Sequence, residues 1–596
     1  MLSIVRTKCV TPRSVHAIVS SRSALANSQG TSLSKQTRQR LSTTSRLFKS
    51  LESPPSTPVV VAEAGIDQTP ALILKPHINF KALAGSASAM ESNIKHRNLP
   101  DSISVATVNA LYRTVGEKTH QLEMARAERN QIAAEMKSLF GGEGSKSKKS
   151  KTATNSAETM SREDKEARRQ ELVLRGKAVK EGIHVQEAEL SALESELYER
   201  AVMIPNSTHP TSPIGPESAA QLVRLQGTPR LSPGVKAYAH PSSTGENDDE
   251  HGQALQGEAS DYPLLDHVSL SKSLDLMDFE SATAVTGSRW YYLKNEAALL
   301  ELALIQFATQ RAVQAGYMPV ITPDVVRPEV VQACGFQPRD EASQTYWVST
   351  VAPGSARAST VEGVRHHQRS ALCLVATAEI ALAGMNLNKV LKESQLPIKM
   401  AGFGRAFRAE AGSRGAEVKG LYRVHQFSKV ELFVLSKDDQ GESDRILEEI
   451  RQFQENIFEE LGLCYRVLDM PTEELGASAY KKYDIEAWMP GRNGWGEISS
   501  TSNCTDYQAR RLNIRYRGSK SASQRSVEDS EGGLSTTTVP SLKFVHTLNG
   551  TAMAIPRIIV ALLETYQQKD GSVRLPECLW PFMGGVQTIE PKKSEN

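Results

Sequence analysis

The sequence predicts an α+β fold in which an antiparallel sheet flanked by helices follows an N-terminal antiparallel helical hairpin. Three observations carry that expectation. Two long segments ahead of residue 205 repeat apolar residues every three or four positions. From about residue 270 to 585, strand-like runs are joined by hairpins rather than by regular strand–helix–strand crossovers. Neither a P-loop nor a G-x-G-x-x-G after a strand occurs, which argues against a parallel-sheet nucleotide fold.

Composition narrows the classes further. A chain of 596 residues is long enough for several domains, and 39% apolar with 23% charged residues is an ordinary globular balance. The net charge is only +2, so nucleic-acid contacts must come from local basic patches. Six cysteines (Cys9, Cys334, Cys373, Cys464, Cys504, Cys578) lie scattered without a C-x-x-C pair. That spacing argues against a disulfide framework and a structural zinc. No run of 18 apolar residues is present, so no membrane span is expected.

Residues 1–50 hold nine Lys/Arg and seventeen Ser/Thr, and the first acid is Glu52. A basic, hydroxyl-rich, acid-free leader reads as a mitochondrial transit peptide and places the mature protein in the mitochondrial matrix. The competing reading is a basic tail. Residues 51–75, with Pro54, Pro55, Pro58 and Pro70, read as a linker. The arm spans 76–204. Of positions 108, 111, 115, 118, 122, 125, 129, 132, 136 and 139, all but Lys118 and Arg129 are apolar. A second such run occupies 172–204. Gly141, Gly142 and Gly144, then Lys146, Lys148, Lys149 and Lys151, separate the two. Two such helices must bury their stripes on one another as a coiled-coil hairpin. Gly176 and Gly182 predict irregularity in the second helix. Taken alone, a hairpin of this kind is more often a spacer or dimerisation device than an RNA-binding arm.

Residues 205–265, rich in Pro, Ser, Gly and His, read as a connector with some strand, and 266–590 as one domain of alternating helices and strands. Within it, 296–314 is an amphipathic helix ended by Gly316. Two β-runs, 403–410 and 421–433, flank a Gly-rich loop. Residues 543–549 read as a strand, and 554–566 as a helix with Pro556 in its first turn. The polar stretches 351–370 and 518–540 read as surface insertions.

Five ordered segments then point to a family. Phe407-Arg408-Ala409-Glu410-Ala411-Gly412-Ser413, Gly420-Leu421-Tyr422-Arg423-Val424-His425-Gln426-Phe427 and Lys429-Val430-Glu431 together resemble motif 2 of the class II aminoacyl-tRNA synthetases in its seryl version. Thr547-Leu548-Asn549-Gly550-Thr551-Ala552, running into Pro556-Arg557, resembles motif 3. The segment from Gly316-Tyr317 through Pro323 resembles motif 1, whose proline lies at the family's dimer interface. Thr377-Ala378-Glu379 and Glu497-Ile498-Ser499-Ser500 are also similar to seryl enzymes. The hairpin sits where those enzymes carry their tRNA-binding arm.

The resemblance implies the class II synthetase antiparallel sheet, a homodimer, and ATP-dependent attachment of serine to tRNA(Ser) through a seryl-adenylate. In-line displacement at phosphorus needs alignment and cations rather than a protein nucleophile, and arginine's planar fork suits that task. Arg408 and Arg557 are the implied catalytic residues, with Arg408 bridging the serine carboxylate and the α-phosphate. Arg423 and Arg557 would hold the triphosphate, and Phe427 would stack on adenine. Ala409, Glu410, Val424, His425, Gln426, Glu497, Ile498, Ser499 and Ser500 complete the implied ATP site. Glu497 and Ser500 are the implied ligands of magnesium, with no zinc. Thr377, Ala378, Glu379, Arg408, Glu431, Asn549 and Thr551 are the implied serine-binding residues.

Plainer readings stand beside these. His425 reads as a structural histidine before a general base, Thr377 as a helix N-cap, Phe427 as core, and Cys373 and Cys504 as packing residues. Thr551 replaces the serine common in the family, and Lys419 an arginine, which implies a weaker grip on the acceptor end. Two other functions share part of the pattern. A catalytically inactive synthetase-like RNA-binding or structural paralogue should have lost Arg408, Arg423 or Arg557, and all three are present. An amino-acid:carrier-protein ligase should lack the long hairpin.

Overall fold

The structure, a computed structural model, describes residues 74–592 except 141–160, 240–253, 337–344, 349–371, 411–418, 519–523, 529–533 and 539–540. The leader, nearly all of the linker, the lysine loop of the arm, the 351–370 insertion and Ala411, Gly412 and Ser413 lie outside the described residues. Within 518–540, Gln524–Glu528 and Leu534–Thr538 pair as an antiparallel ribbon.

Two short helices, α1 (Phe80–Gly85) and α2 (Ala87–His96), lead into the arm helices α3 (Val105–Phe140) and α4 (Arg162–Ala201). The apolar stripes meet: Val108, Leu122 and Ile132 are buried on α3, and Leu172, Ile183 and Leu197 on α4. Lys118, a polar exception in the first stripe, crosses to Glu189 at 2.9 Å, and Arg126–Glu187 and Arg175–Glu128 also bridge the helices. Such exposed pairs contribute little each, so packing holds the arm together. Contrary to expectation, α4 runs unbroken through Gly176 and Gly182. Each glycine costs about 1 kcal/mol against alanine. Burying Leu172 and Ile183 contributes about 1.5–3 kcal/mol apiece, which outweighs that cost.

At its base the arm is tied to the C-terminal half of the chain. Arg97, 1% exposed, donates from Nη1 to Gly476 O (3.0 Å) and from Nη2 to Ala479 O (2.8 Å). Asn206 Nδ2 donates to Cys504 O at 2.8 Å.

The main sheet has eight strands: β1 (Gln221–Gln226), β2 (Met318–Ile321), β3 (Ile398–Phe407), β4 (Gln426–Ser436), β5 (Tyr465–Asp469), β6 (Lys481–Met489), β7 (Gly494–Asn503) and β8 (His546–Ala554). Their order is β1-β5-β6-β7-β8-β4-β3-β2, antiparallel throughout except for the β3–β2 pair at one edge. β1 falls inside the segment read as connector, so the sheet begins earlier in the chain than the composition suggested. The paired β-runs are also shifted. β3 ends at Phe407, and Glu410, three residues on, lies in the left-handed region at φ 46°. Residues 421–425 are turn rather than strand, with Leu421 and His425 bonded outside the ladder.

Strand β4 shows how the two faces divide. Val430, Leu432 and Val434 enter a core covered by α6 (Asn295–Gln314), α8 (Gln440–Glu460) and α10 (Ile555–Tyr566). Phe433 and Leu435 enter a second core on the other face, under α7 (Ala378–Gly384) and α9 (Tyr507–Leu512). The residues of that second face nearer the strand's start are Phe427, Lys429 and Glu431. They are polar or aromatic where a core would require aliphatic side chains. Here the second face opens into a cleft.

Candidate active site

Arg408, Glu410, Arg423, Val424, Phe427, Lys429, Glu497, Ile498, Ser499, Ser500, Thr551 and Arg557 all line the cleft. Arg408 leaves the end of β3 with its guanidinium 5.3 Å from the Phe427 ring centroid. Its backbone N–H donates to His425 O at 2.9 Å, and the His425 ring lies 2.9 Å from Arg408 O through Nδ1. His425 also packs against Trp290 and Tyr346, so its part is to hold the two motif strands together.

At the floor, register decides which side chains meet. Gly402 and Gly404 lie opposite Glu431 and Lys429. A Cβ at 404 would stand 2.6 Å from Thr322 Oγ1, and one at 402 would stand 2.8 Å from Leu382 Cδ1. Bare backbone therefore lets α7 close on the sheet at Gly402 and the residue after β2 approach it at Gly404. A bulge in the β4–β8 pair sets Thr551, rather than Ala552, opposite Glu431. Glu431, 2% exposed, pairs with Lys429 and accepts from Thr377 Oγ1 at 3.2 Å. Thr377 also caps α7, as the plainer reading of it expected. Lys429 Nζ reaches Thr551 Oγ1 at 3.5 Å.

Behind this pair sits Glu379, 6% exposed, accepting from Gln508 Nε2 (2.6 Å) and Asn549 Nδ2 (3.0 Å). Burial, helped by the Glu431 charge, pushes its carboxyl up to about 7 against Gln508, Lys429 and Asn549. Burial likewise raises the Glu431 carboxyl, and Lys429 opposes it. Two buried carboxyls, both raised by burial, thus share the Lys429 ammonium, and the Arg408 charge also acts on Glu431.

The opposite wall depends on a second bulge. Glu497 and Ser500 are three residues apart, which would put them on opposite faces of a regular strand. Ile498 is the extra residue: Glu486 pairs with Glu497, Ile485 with Ser499 and Asp484 with Ser500. Both side chains then face the cleft, while Ile498 drops into the core. Arg557, in the first turn of α10, donates from Nη1 to Glu497 Oε2 (2.9 Å) and Glu497 O (2.8 Å), and from Nε to Tyr422 O (3.2 Å). Burial works to raise the Glu497 carboxyl; Arg557, Lys482 and Arg408 overcome it and hold the group well below the usual carboxylate range. An arginine at a helix N-terminus opposes the helix dipole, so this corner attracts anions.

Most sequence-derived candidates converge, at two depths. The arginines, Glu410, Phe427, Glu497, Ser500 and Thr551 line the cleft; Thr377, Ala378, Glu379, Glu431 and Asn549 lie beneath or beside its floor. Gln426 pairs with Phe407 and faces an adjacent cavity, and Ala409 follows Arg408 outside the lining. Lys429, Tyr422 and Gln508 were given no role by the sequence. Lys429 was accessible to the period-2 rule, since it falls between Phe427 and Glu431 on one strand face. Gln508 gave no local signal. Lys419 pairs with Asp266 at 2.8 Å beside the cleft. Among the described residues, no group of three His, Cys, Asp or Glu gathers around a metal-sized space.

Residues 360–566 match the family described as tRNA synthetase class II core domain (G, H, P, S and T). That match and the antiparallel sheet with its arginine-lined cleft define a class II aminoacyl-tRNA synthetase core. The serine–tRNA ligase of Treponema denticola is 39% identical over 510 residues, 85% of this chain and 99% of that protein. The mitochondrial serine–tRNA ligase of Saccharomyces cerevisiae is 40% identical over 416 residues, 69% of this chain and 78% of that one. The chain belongs to the serine–tRNA ligase family. Among solved structures, the seryl-tRNA synthetase of Pyrococcus horikoshii complexed with ATP is 32% identical with a TM-score of 0.66, covering 87% of this chain and all of that one.

Proposed function

We propose that this protein attaches serine to tRNA(Ser) by forming a seryl-adenylate from serine and ATP and passing the seryl group to the tRNA's terminal adenosine. The observation that carries the reading is the pairing of an arginine-lined wall with a buried carboxylate floor. Serine's carboxylate attacks the α-phosphorus in line, and pyrophosphate leaves. Arg408 grips the carboxylate and the α-phosphate together and so sets the two reactants in line. Arg423 and Arg557 hold the β- and γ-phosphates where charge gathers as pyrophosphate departs. A carboxylate kept charged and a hydroxyl on the same face, Glu497 and Ser500, fit a hard cation such as magnesium, which would neutralise phosphate charge there.

At the floor, Glu379 and Glu431 take the ammonium, with Asn549 and Thr377 orienting them. Glu431 and Thr551 address the hydroxyl; alanine would leave them unpaired, and a site of this kind discriminates strongly for that reason. Serine-dependent exchange of pyrophosphate into ATP tests this reading. Exchange with serine and not with alanine or threonine is expected, and equal exchange with alanine defeats the floor assignment. The arm is proposed to contact tRNA(Ser), largely through backbone phosphates.

A homodimer is part of the proposal. The sheet ends at β2, where Ile321 is 87% and Met318 45% exposed. An apolar groove lined by Ile305, Pro319, Val320, Ile321 and Phe403 runs beside that edge. An open apolar edge of this kind needs a cover, and a second copy of the same edge supplies one. Sedimentation at twice the chain mass is expected, with Ile321→Glu sedimenting as a single chain; a wild-type monomer rejects the dimer. Mitochondrial localisation is proposed on the leader's composition and the yeast mitochondrial relative, beside bacterial relatives of equal identity.

A further inference from the structure

The motif 2 turn is held from beneath by a buried histidine that no motif includes. His267, 5% exposed, opens helix α5 (His267–Leu274). Its Nδ1 lies 2.9 Å from Glu564 Oε1, and its backbone N–H donates to the same oxygen at 3.0 Å. Glu564, 1% exposed, sits on α10, the helix that carries Arg557 in its first turn. On the other side of the ring, Leu421 N–H donates to His267 Nε2 at 3.1 Å. A backbone amide can only donate, so Nε2 carries a lone pair and the ring proton resides on Nδ1, facing the carboxylate.

The approach is close enough to dictate the neighbouring residue. Gly420 has φ 64°, and a Cβ there would fall 2.0 Å from His267 Nε2. Glu564 Oε2 accepts from Gly491 N–H at 3.0 Å, next to Arg492, whose guanidinium lies 4.3 Å from the Tyr422 ring centroid. On the same ring, Arg557 lies at 4.7 Å. The two residues after Leu421 line the cleft: Tyr422, whose carbonyl takes the Arg557 Nε–H, and Arg423.

We propose that His267 is a positioning residue for the ATP grip: by joining Glu564 of the motif 3 helix to the Leu421 amide, it sets Arg423 and Arg557 at one spacing. The proposal rests on the assignment of this cleft to ATP. It separates two hydrogen bonds that two substitutions can separate. In His267→Gln, the amide oxygen reaches where Nε2 stood, so the Leu421 bond survives. In His267→Asn, the amide nitrogen reaches where Nδ1 stood, so the Glu564 bond survives and Leu421 N–H is left unpaired.

The test is serine-dependent ATP–pyrophosphate exchange by the full chain, with KM for ATP and for serine measured separately, beside the melting temperature. The Asn variant is expected to raise KM for ATP about tenfold with KM for serine within twofold. The Gln variant is expected to stay within about threefold of wild type for both. Equal KM for ATP in the two variants overturns the proposal, as does a rise in both substrates' KM together. An Asn variant that does not fold also counts against it, because His267 is then a folding residue first. Absence of exchange in the wild type fails the ATP assignment itself, a separate result from equal variants of an active enzyme.

Discussion

Arg408→Ala is expected to lower serine-dependent ATP–pyrophosphate exchange roughly 10³-fold, the scale seen when one preorganised charge is removed from a developing anion. Its place explains why. Arg408 leaves the last residue of β3 toward the cleft, steadied by the Phe427 ring beneath its guanidinium. In the proposed reaction it grips both reactants there, and a lysine does not offer the same bidentate grip. Its backbone bond to His425 survives truncation, so the fold should persist. Exchange and a melting curve on the same preparation check both halves. A folded variant within tenfold of wild type would remove Arg408 from the reaction.

Glu431→Ala is expected to cost on two counts. The serine kcat/KM should fall by about 10²–10³, because a site's bonds to a small polar substrate carry most of its discrimination. Stability should fall by about 3–5 kcal/mol, because Lys429, 7% exposed, loses its buried partner. Glu431→Gln separates the two effects: it keeps the shape and an acceptor for Thr377, so the stability loss shrinks while the serine loss remains. Denaturant melts and exchange kinetics on both variants read this out. A Gln variant with wild-type serine kcat/KM would move the ammonium and hydroxyl contacts elsewhere.

Much of the site was legible because its residues sit in short ordered motifs. Arg408, Arg423, Glu497 and Arg557 could be named from their neighbours alone, and they meet in one cleft. The helical hairpin was legible for a different reason: period 3.5 is a local property, and two stripes without other partners must pair. The rest depended on register. Nothing local says that β7 bulges at Ile498 or β8 at Ala552, yet those two extra residues put Ser500 beside Glu497 and Thr551 against Glu431. Cross-chain contacts were equally hidden. His267 lies 154 residues from Leu421 and 297 from Glu564, and Gln508 lies 129 from Glu379. The irregularity expected at Gly176 and Gly182 failed because a local propensity of about 1 kcal/mol yields to side-chain burial along the hairpin.

The most direct test of the central claim is aminoacylation: the protein, ATP and RNA are incubated with labelled serine, alanine or threonine, and acid-precipitable RNA is counted. Label entering RNA from serine alone, and lost when Arg408 is replaced by alanine, is the predicted result. Serine-dependent adenylate without label in RNA would contradict the account and point to a carrier-protein ligase. A folded protein that performs neither step would make the motifs those of an inactive paralogue.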